Sequence, residues 1–196
     1  MIGIINYGAG NIFSLTAALD RIHLEYGMVN VGDNMDQYSH IIIPGVGHAG
    51  AAMQKLQATG LTDRIKSLKQ PVLGICVGMQ LLTRHSEEGD ADLLNIMDID
   101  TLHFTDKIKF KVPHMGWNKV SSVHPNKLFD GIEKDAYFYF VHSYFIEYNP
   151  TFTLAYTTYD IKYSSAIQSE NFYGVQFHPE KSGKAGEQLL KNFCRI

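Results

Sequence analysis

A chain of 196 residues, 45% of them hydrophobic, can bury a substantial core and is expected to form one domain over residues 1–196. Charged residues make up 19%, the net charge is −3, and Lys and Arg are scattered, which argues against nucleic-acid binding. No apolar run nears the roughly 20 residues needed to cross a bilayer, and two cysteines make no disulfide framework, so a cytoplasmic protein with free thiols is expected.

Four short apolar runs, residues 2–6, 28–31, 41–43 and 72–75, read as strands separated by segments of helical spacing. After Gly10, the side chains of Ile12, Leu15, Leu19 and Ile22 fall on one helical stripe, and Asn11 stands where a cap would begin it. Continuous apolar strands are buried on both faces. The expected fold is therefore α/β, a mainly parallel central sheet with helices on both faces. From about Leu93 the texture changes to shorter aromatic-rich runs at 136–141, 151–158, 164–168 and 172–177, which read as largely antiparallel strands of the C-terminal half. A last amphipathic helix over 183–193 carries Leu189, Leu190 and Phe193 on its apolar side.

After the fourth strand comes Gly74-Ile75-Cys76-Val77-Gly78-Met79-Gln80, a G-x-C-x-G frame of the nucleophile-elbow kind. Such a frame pushes a side chain out at the carboxyl edge of a sheet, and the free N–H groups of a following helix would favour a thiolate at Cys76. A lone cysteine after a strand can also be a buried apolar residue, and the flanking glycines are what favour chemistry. Cys194 has no such frame and is expected to pack in the last helix.

A thiol nucleophile needs a base and a group that orients it. Both are offered by Tyr173-Gly174-Val175-Gln176-Phe177-His178-Pro179-Glu180, read as a strand that ends at His178, with Glu180 on the same side and able to reach the imidazole. A surface His-Pro turn with a solvated Glu is the alternative. No two histidines stand in a metal-binding spacing, so no metal site is expected.

Gly45, Gly47 and Gly50 match the G-x-G-x-x-G spacing of a dinucleotide-binding turn. That fingerprint belongs at the first strand-to-helix turn, where Phe13 stands in the third glycine's place, so a dinucleotide cofactor is the weaker reading. The stronger one is a flexible segment, 44–47, whose peptide N–H groups serve an oxyanion beside Cys76.

Together G-I-C-V-G-M-Q, P-G-V-G and H-P-E resemble the class I, triad-type glutamine amidotransferases over nearly the whole chain. Residues 111–118 and 139–144 are similar to the branch that feeds ammonia to a (β/α)8-barrel cyclase in histidine biosynthesis. The resemblance implies a flavodoxin-like fold, glutamine as substrate, no cofactor, and catalysis by Cys76, His178 and Glu180. It implies oxyanion N–H groups from Val46 and Val77, and a glutamine pocket of Gly47, Gln80, His142, Ser143 and Tyr144. Pro113 and Trp117 would lie near the partner, although the single Trp could equally be a core residue. Two departures stand out: His48 replaces a small or acidic residue, and the segment 86–104 is poorer in glycine than in relatives. The same hydrolysis serving another synthase, or a silent regulatory module on the same fold, are the competing functions.

Overall fold

The computed structural model describes residues 1–196, and its first four strands arise from the apolar runs of the N-terminal half. They are β1 (Ile2–Ile5), β2 (Tyr26–Val29), β3 (His40–Ile43) and β4 (Val72–Ile75). Helix α1 (Ile12–Arg21) joins β1 to β2, and α2 (Ala49–Ala58) and α3 (Thr62–Ser67) join β3 to β4. Asn11 caps α1 by accepting a hydrogen bond from the Ser14 N–H at 3.2 Å, and Leu15, Ala18 and Leu19 are its buried face. The second strand differs from its expected span of 28–31. It starts at Tyr26 and stops at Val29, because the Asn30 N–H donates to the Asp33 carboxylate at 2.7 Å and turns the chain, leaving Val31 exposed.

All neighbouring pairs in the order β2-β1-β3-β4 are parallel. The chain moves outward one way from β1 to β2 and the other way from β3 to β4. Right-handed crossovers then place α1 on one face and α2 on the opposite one. The reversal leaves a crevice at the carboxyl ends of β1 and β3, the place where open α/β sheets bind ligands.

A single helical turn, α4 (Val77–Gln80), follows β4. The expected helix is thus only four residues long, and little macrodipole acts at Cys76. Next come β5 (Thr83–Ser86), β6 (Ala91–Asp92) and β7 (Met97–His103), which occupy the unusual segment 86–104 and its approach. The aromatic half supplies β8 (His114–Ser122), β9 (Ala136–His142), β10 (Tyr144–Glu147), β11 (Thr153–Tyr159) and β12 (Ile161–Ser169), all joined to one another by antiparallel pairings. The last strand, β13 (Phe172–Val175), departs from the antiparallel expectation: it pairs parallel with β4 and antiparallel with β12, so it joins the two halves of the sheet. Helix α5 (Gly183–Phe193) then returns over the sheet beside α1, buries Leu189, Leu190 and Phe193, and is tied to α1 by the Arg21–Glu187 ion pair.

One cluster of buried hydrophobic side chains runs from Ile2 to Phe193, so both halves share a core. Cys194 sits at the end of α5, half-buried, and burial pushes its thiol up to about 11, which fits a packing role. No helix is long and apolar enough to cross a membrane.

Candidate active site

β4 ends at Ile75 and α4 begins at Val77, so Cys76 alone makes the turn, with φ 55° and ψ −111°. A β-carbon-bearing residue pays for that backbone in strain, and such positions cluster at functional sites. The flanking glycines make the turn possible. A methyl group on Gly78 would overlap the Ile43 carbonyl oxygen, and one on Gly74 would overlap the carbonyl of Gly78. Glycine at both positions lets β4, the turn and α4 close against the end of β3.

His178 lies beyond β13, pinned by its own N–H to the Tyr139 carbonyl at 2.9 Å. Its carbonyl accepts from the Ser182 hydroxyl at 2.6 Å, and that hydroxyl in turn accepts from the Tyr139 N–H at 3.0 Å. The imidazole Nδ1 and Glu180 Oε1 are 2.7 Å apart, both side chains buried. The reach expected from strand alternation is right in outcome and wrong in cause. The strand stops at Val175, and Pro179–Lys181 forms a 3-10 turn that folds Glu180 back onto the ring. Burial pushes the His178 ring down, but Cys76 and Glu180 beside it outweigh that and raise it to about 10. Nε2, the nitrogen on the far side from Glu180, makes no hydrogen bond in this geometry.

Cys76 and His178 open into one cleft of about 710 Å³. It is lined by Val46, Gly47 and Val77, and by Gln80, His142, Ser143 and Tyr144 from α4 and the ends of β9 and β10 with their connection. Pro113 also lines this cleft. Glu180 does not line it; it sits behind His178, against a smaller hollow that includes Asn11 and Pro44. Trp117 is also outside, 56% exposed on β8 and edge-on to Tyr139. That removes the core reading for this tryptophan.

The segment 44–47 has its own anchor, the Tyr7 hydroxyl donating to the Pro44 carbonyl at 2.6 Å inside the fold. The N–H of Val46 has no acceptor, and Gly47 has φ 86°. Beyond it, His48 explains its own departure: Nδ1 accepts from the Ala51 N–H at 3.2 Å and caps α2. Five cleft residues were not foreseen: Gly10, Asn11, Glu88, Val141 and Lys181. Glu88 comes from the β5–β6 hairpin and also accepts from the Ala49 N–H at 2.5 Å, so it ties that hairpin to α2. A Glu in a polar hairpin has no motif around it to mark it in the sequence.

Residues 4–196 match the family described as Glutamine amidotransferase class-I. The chain belongs to the class-I glutamine amidotransferases. This amidotransferase is 47% identical over 196 residues to the imidazole glycerol phosphate synthase subunit HisH of Bacteroides thetaiotaomicron, covering 100% of this chain and 99% of the relative. It is 48% identical over 194 residues to the protein of the same name from Escherichia coli strain K12, covering 98% of each. Among solved structures, the amidotransferase fold is similar to a crystal structure of a glutamine amidotransferase (TM-score 0.77, 14% identity, 99% and 97% of the two chains). It is also similar to PurLQS from Thermotoga maritima (TM-score 0.72, 16% identity, 99% and 97%).

Proposed function

We propose that this amidotransferase is the glutaminase subunit of an imidazole glycerol phosphate synthase, acting as one domain over residues 1–196 in the cytoplasm. The identity of 47% across the full length of a subunit of that name carries the reading. It hydrolyses glutamine to glutamate and passes the ammonia to a (β/α)8-barrel cyclase subunit. The cyclase uses the ammonia to convert its nucleotide substrate into imidazole glycerol phosphate and aminoimidazole-carboxamide ribonucleotide, in histidine biosynthesis.

The proposed chemistry runs through the cleft. His178 Nε2, raised by its neighbours, holds the proton lost by the Cys76 thiol, and the thiolate attacks the glutamine carboxamide carbon. The tetrahedral oxyanion is held by the N–H groups of Val46 and Val77. Protonated His178 returns the proton to the leaving nitrogen, the C–N bond breaks, and ammonia departs from the thioester. His178 then takes a proton from water, whose oxygen attacks the thioester; the C–S bond breaks, glutamate is released, and the proton on His178 is again shared with the Cys76 sulfur. Glu180 keeps Nδ1 protonated and the ring in position, which supports the burial of a carboxylate with no other partner. The substrate's ammonium group needs an anion within the cleft, and Glu88 supplies one.

The exposed Met115 and Trp117, alternating with buried or half-buried neighbours on β8, support a protein surface reaching the cleft through Pro113. The deciding experiment measures glutamate release with and without the cyclase subunit and its nucleotide substrate. Strong stimulation that disappears in Cys76→Ala is expected. Stimulation by a different synthase, and none by this cyclase, would reassign the acceptor; undiminished release in Cys76→Ala would remove the nucleophile.

A further inference from the structure

We infer that Gln176 is a catalytic residue of this glutaminase, its carboxamide N–H holding the Cys76 thiolate in an orientation enforced by the Tyr144 carbonyl through Gln80. The inference rests on the proposed role of Cys76 as nucleophile.

Gln176 directly follows β13 and is fully buried, with its backbone N–H bonded to the Ser165 carbonyl at 2.9 Å. Its side chain lies between two groups. Nε2 is 3.8 Å from Cys76 Sγ, within reach for the large sulfur acceptor, and Oε1 is 3.2 Å from Gln80 Nε2. A carboxamide can be turned end for end, so its direction has to come from a group whose role is fixed. The Tyr144 carbonyl is such a group, because it only accepts. Gln80 Nε2 approaches it at 3.4 Å, and His142 Nδ1 at 2.7 Å, so both must be N–H donors there. The second proton of the Gln80 amide then points at Gln176, which must answer with Oε1. The donor end of Gln176 is left facing the sulfur. Turning Gln176 over would set two amino groups against each other and present a carbonyl oxygen to the thiolate.

The way this donor is used separates it from the buried amides that brace the fold. Asn171 places its NH2 on the carbonyls of Leu68 and Gln70, both at 2.9 Å. Asn192 does the same with the carbonyls of Leu128 and Asp130, at 3.1 and 2.6 Å. Gln176 has no carbonyl on its NH2; the sulfur is its one acceptor. On another side of Sγ the Val141 carbonyl stands at 4.0 Å, suited to the neutral S–H. Loss of the proton to His178 leaves the sulfur with a donor already in place, and a hydrogen bond to the charged form favours that form. Because Gln80 also lines the cleft, a glutamine seated against it bears on the same amide pair.

The test measures the rate of Cys76 alkylation by iodoacetamide against pH in the full-length chain, comparing wild type, Gln176→Met and Gln176→Glu, with circular dichroism reporting the fold. Methionine keeps the shape without the donor; glutamate keeps a partner for Gln80 and adds a charge that repels the thiolate. The midpoint is expected to rise by roughly one pH unit in the Met variant and further in the Glu variant, as loss of one hydrogen bond to a charged group predicts. A Met variant that folds and keeps the wild-type midpoint overturns the assignment. If that variant does not fold, the Glu variant decides by the same criterion. On the wild type itself, the Gln176 side-chain amide proton resonances must move with ionisation of the thiol and stop moving in Cys76→Ala, and a resonance that ignores the thiol overturns the inference as well. An unmoved midpoint beside a Cys76→Ala variant that has lost glutamate release fails this inference alone. Retained release in Cys76→Ala fails the reading beneath it.

Discussion

Nδ1 of His178 and Oε1 of Glu180 lie 2.7 Å apart with almost no solvent on either side chain. A carboxylate so placed fixes which ring nitrogen carries the proton, and in the proposed mechanism leaves Nε2 to exchange protons with Cys76. Glu180→Gln keeps the shape and loses the charge. Its kcat for partner-stimulated glutamate release is expected to fall by about 10²- to 10⁴-fold, with the thermal transition little changed. A loss under tenfold would mean that Glu180 does not set the tautomer.

Val46 offers an N–H with no acceptor in the structure. Val46→Pro deletes that donor. Removal of one oxyanion donor raises the barrier by about 3 to 4 kcal/mol, so kcat should drop by about two to three orders of magnitude with a nearly unchanged KM. Steady-state kinetics separates this from a binding defect, which would appear chiefly in KM.

Glu88 is the reverse case. Glu88→Gln still accepts from the Ala49 N–H but presents no charge to the substrate ammonium. A rise in KM for glutamine of about tenfold or more, with kcat largely retained, is the expected signature. Equal losses in kcat and kcat/KM would instead tie this residue to the transition state.

Stability should fall on both sides of neutral pH for different reasons. Burial holds His114 and His142 down, to about 4 and about 3, against 6.5 when exposed. Below pH 6.5 the unfolded chain therefore binds more protons, and the stability linked to these rings is complete above that pH and lost as pH falls toward about 4 for His114 and about 3 for His142. His178, raised to about 10, is opposite: its contribution is complete below 6.5 and disappears as pH climbs toward 10. In urea unfolding across this range, the pair His114→Gln with His142→Asn should flatten the acid side only. Cys76→Ala, which removes a partner that raises His178, should flatten the alkaline side only. An acid side unchanged in the double variant would show that other groups govern it.

Gly78→Ala adds one methyl group where the Ile43 carbonyl already stands. Backbone cannot yield as a flexible side chain does, so a loss of about 3 kcal/mol or more is expected by chemical denaturation. A stable, active Gly78→Ala protein would show that β3 and α4 can separate without harm.

Features set by neighbours in sequence were readable from it. The apolar strands, the Asn11 cap and the glycine frame at Cys76 each depend on a few adjacent residues. The end of β2 was misplaced because the Asn30–Asp33 turn overrides an apolar Val31. The partners of β13 were hidden for another reason: whether a strand runs beside β4 or only beside β12 is decided a hundred residues away. Gln176 stands two residues before the His-Pro-Glu motif and read only as a strand position, because the role proposed for it comes from two side chains on α4 and its preceding turn. Glu88 had no local mark at all. Trp117 could not be placed in core or at surface until the alternation of β8 showed which face is outward.

The pairing of β4 with β13 has a consequence in time as well as in space. Val175 sits beside Ile75, yet everything from Thr83 to Ser169 is made between them. A nascent chain that still lacks residues 172–196 carries the cysteine without its imidazole, and the closing of so long a loop comes late on entropic grounds. On the proposed chemistry glutamine is thereby spared by unfinished copies, since the thiol meets this imidazole only when the last strand slides into the middle of the sheet.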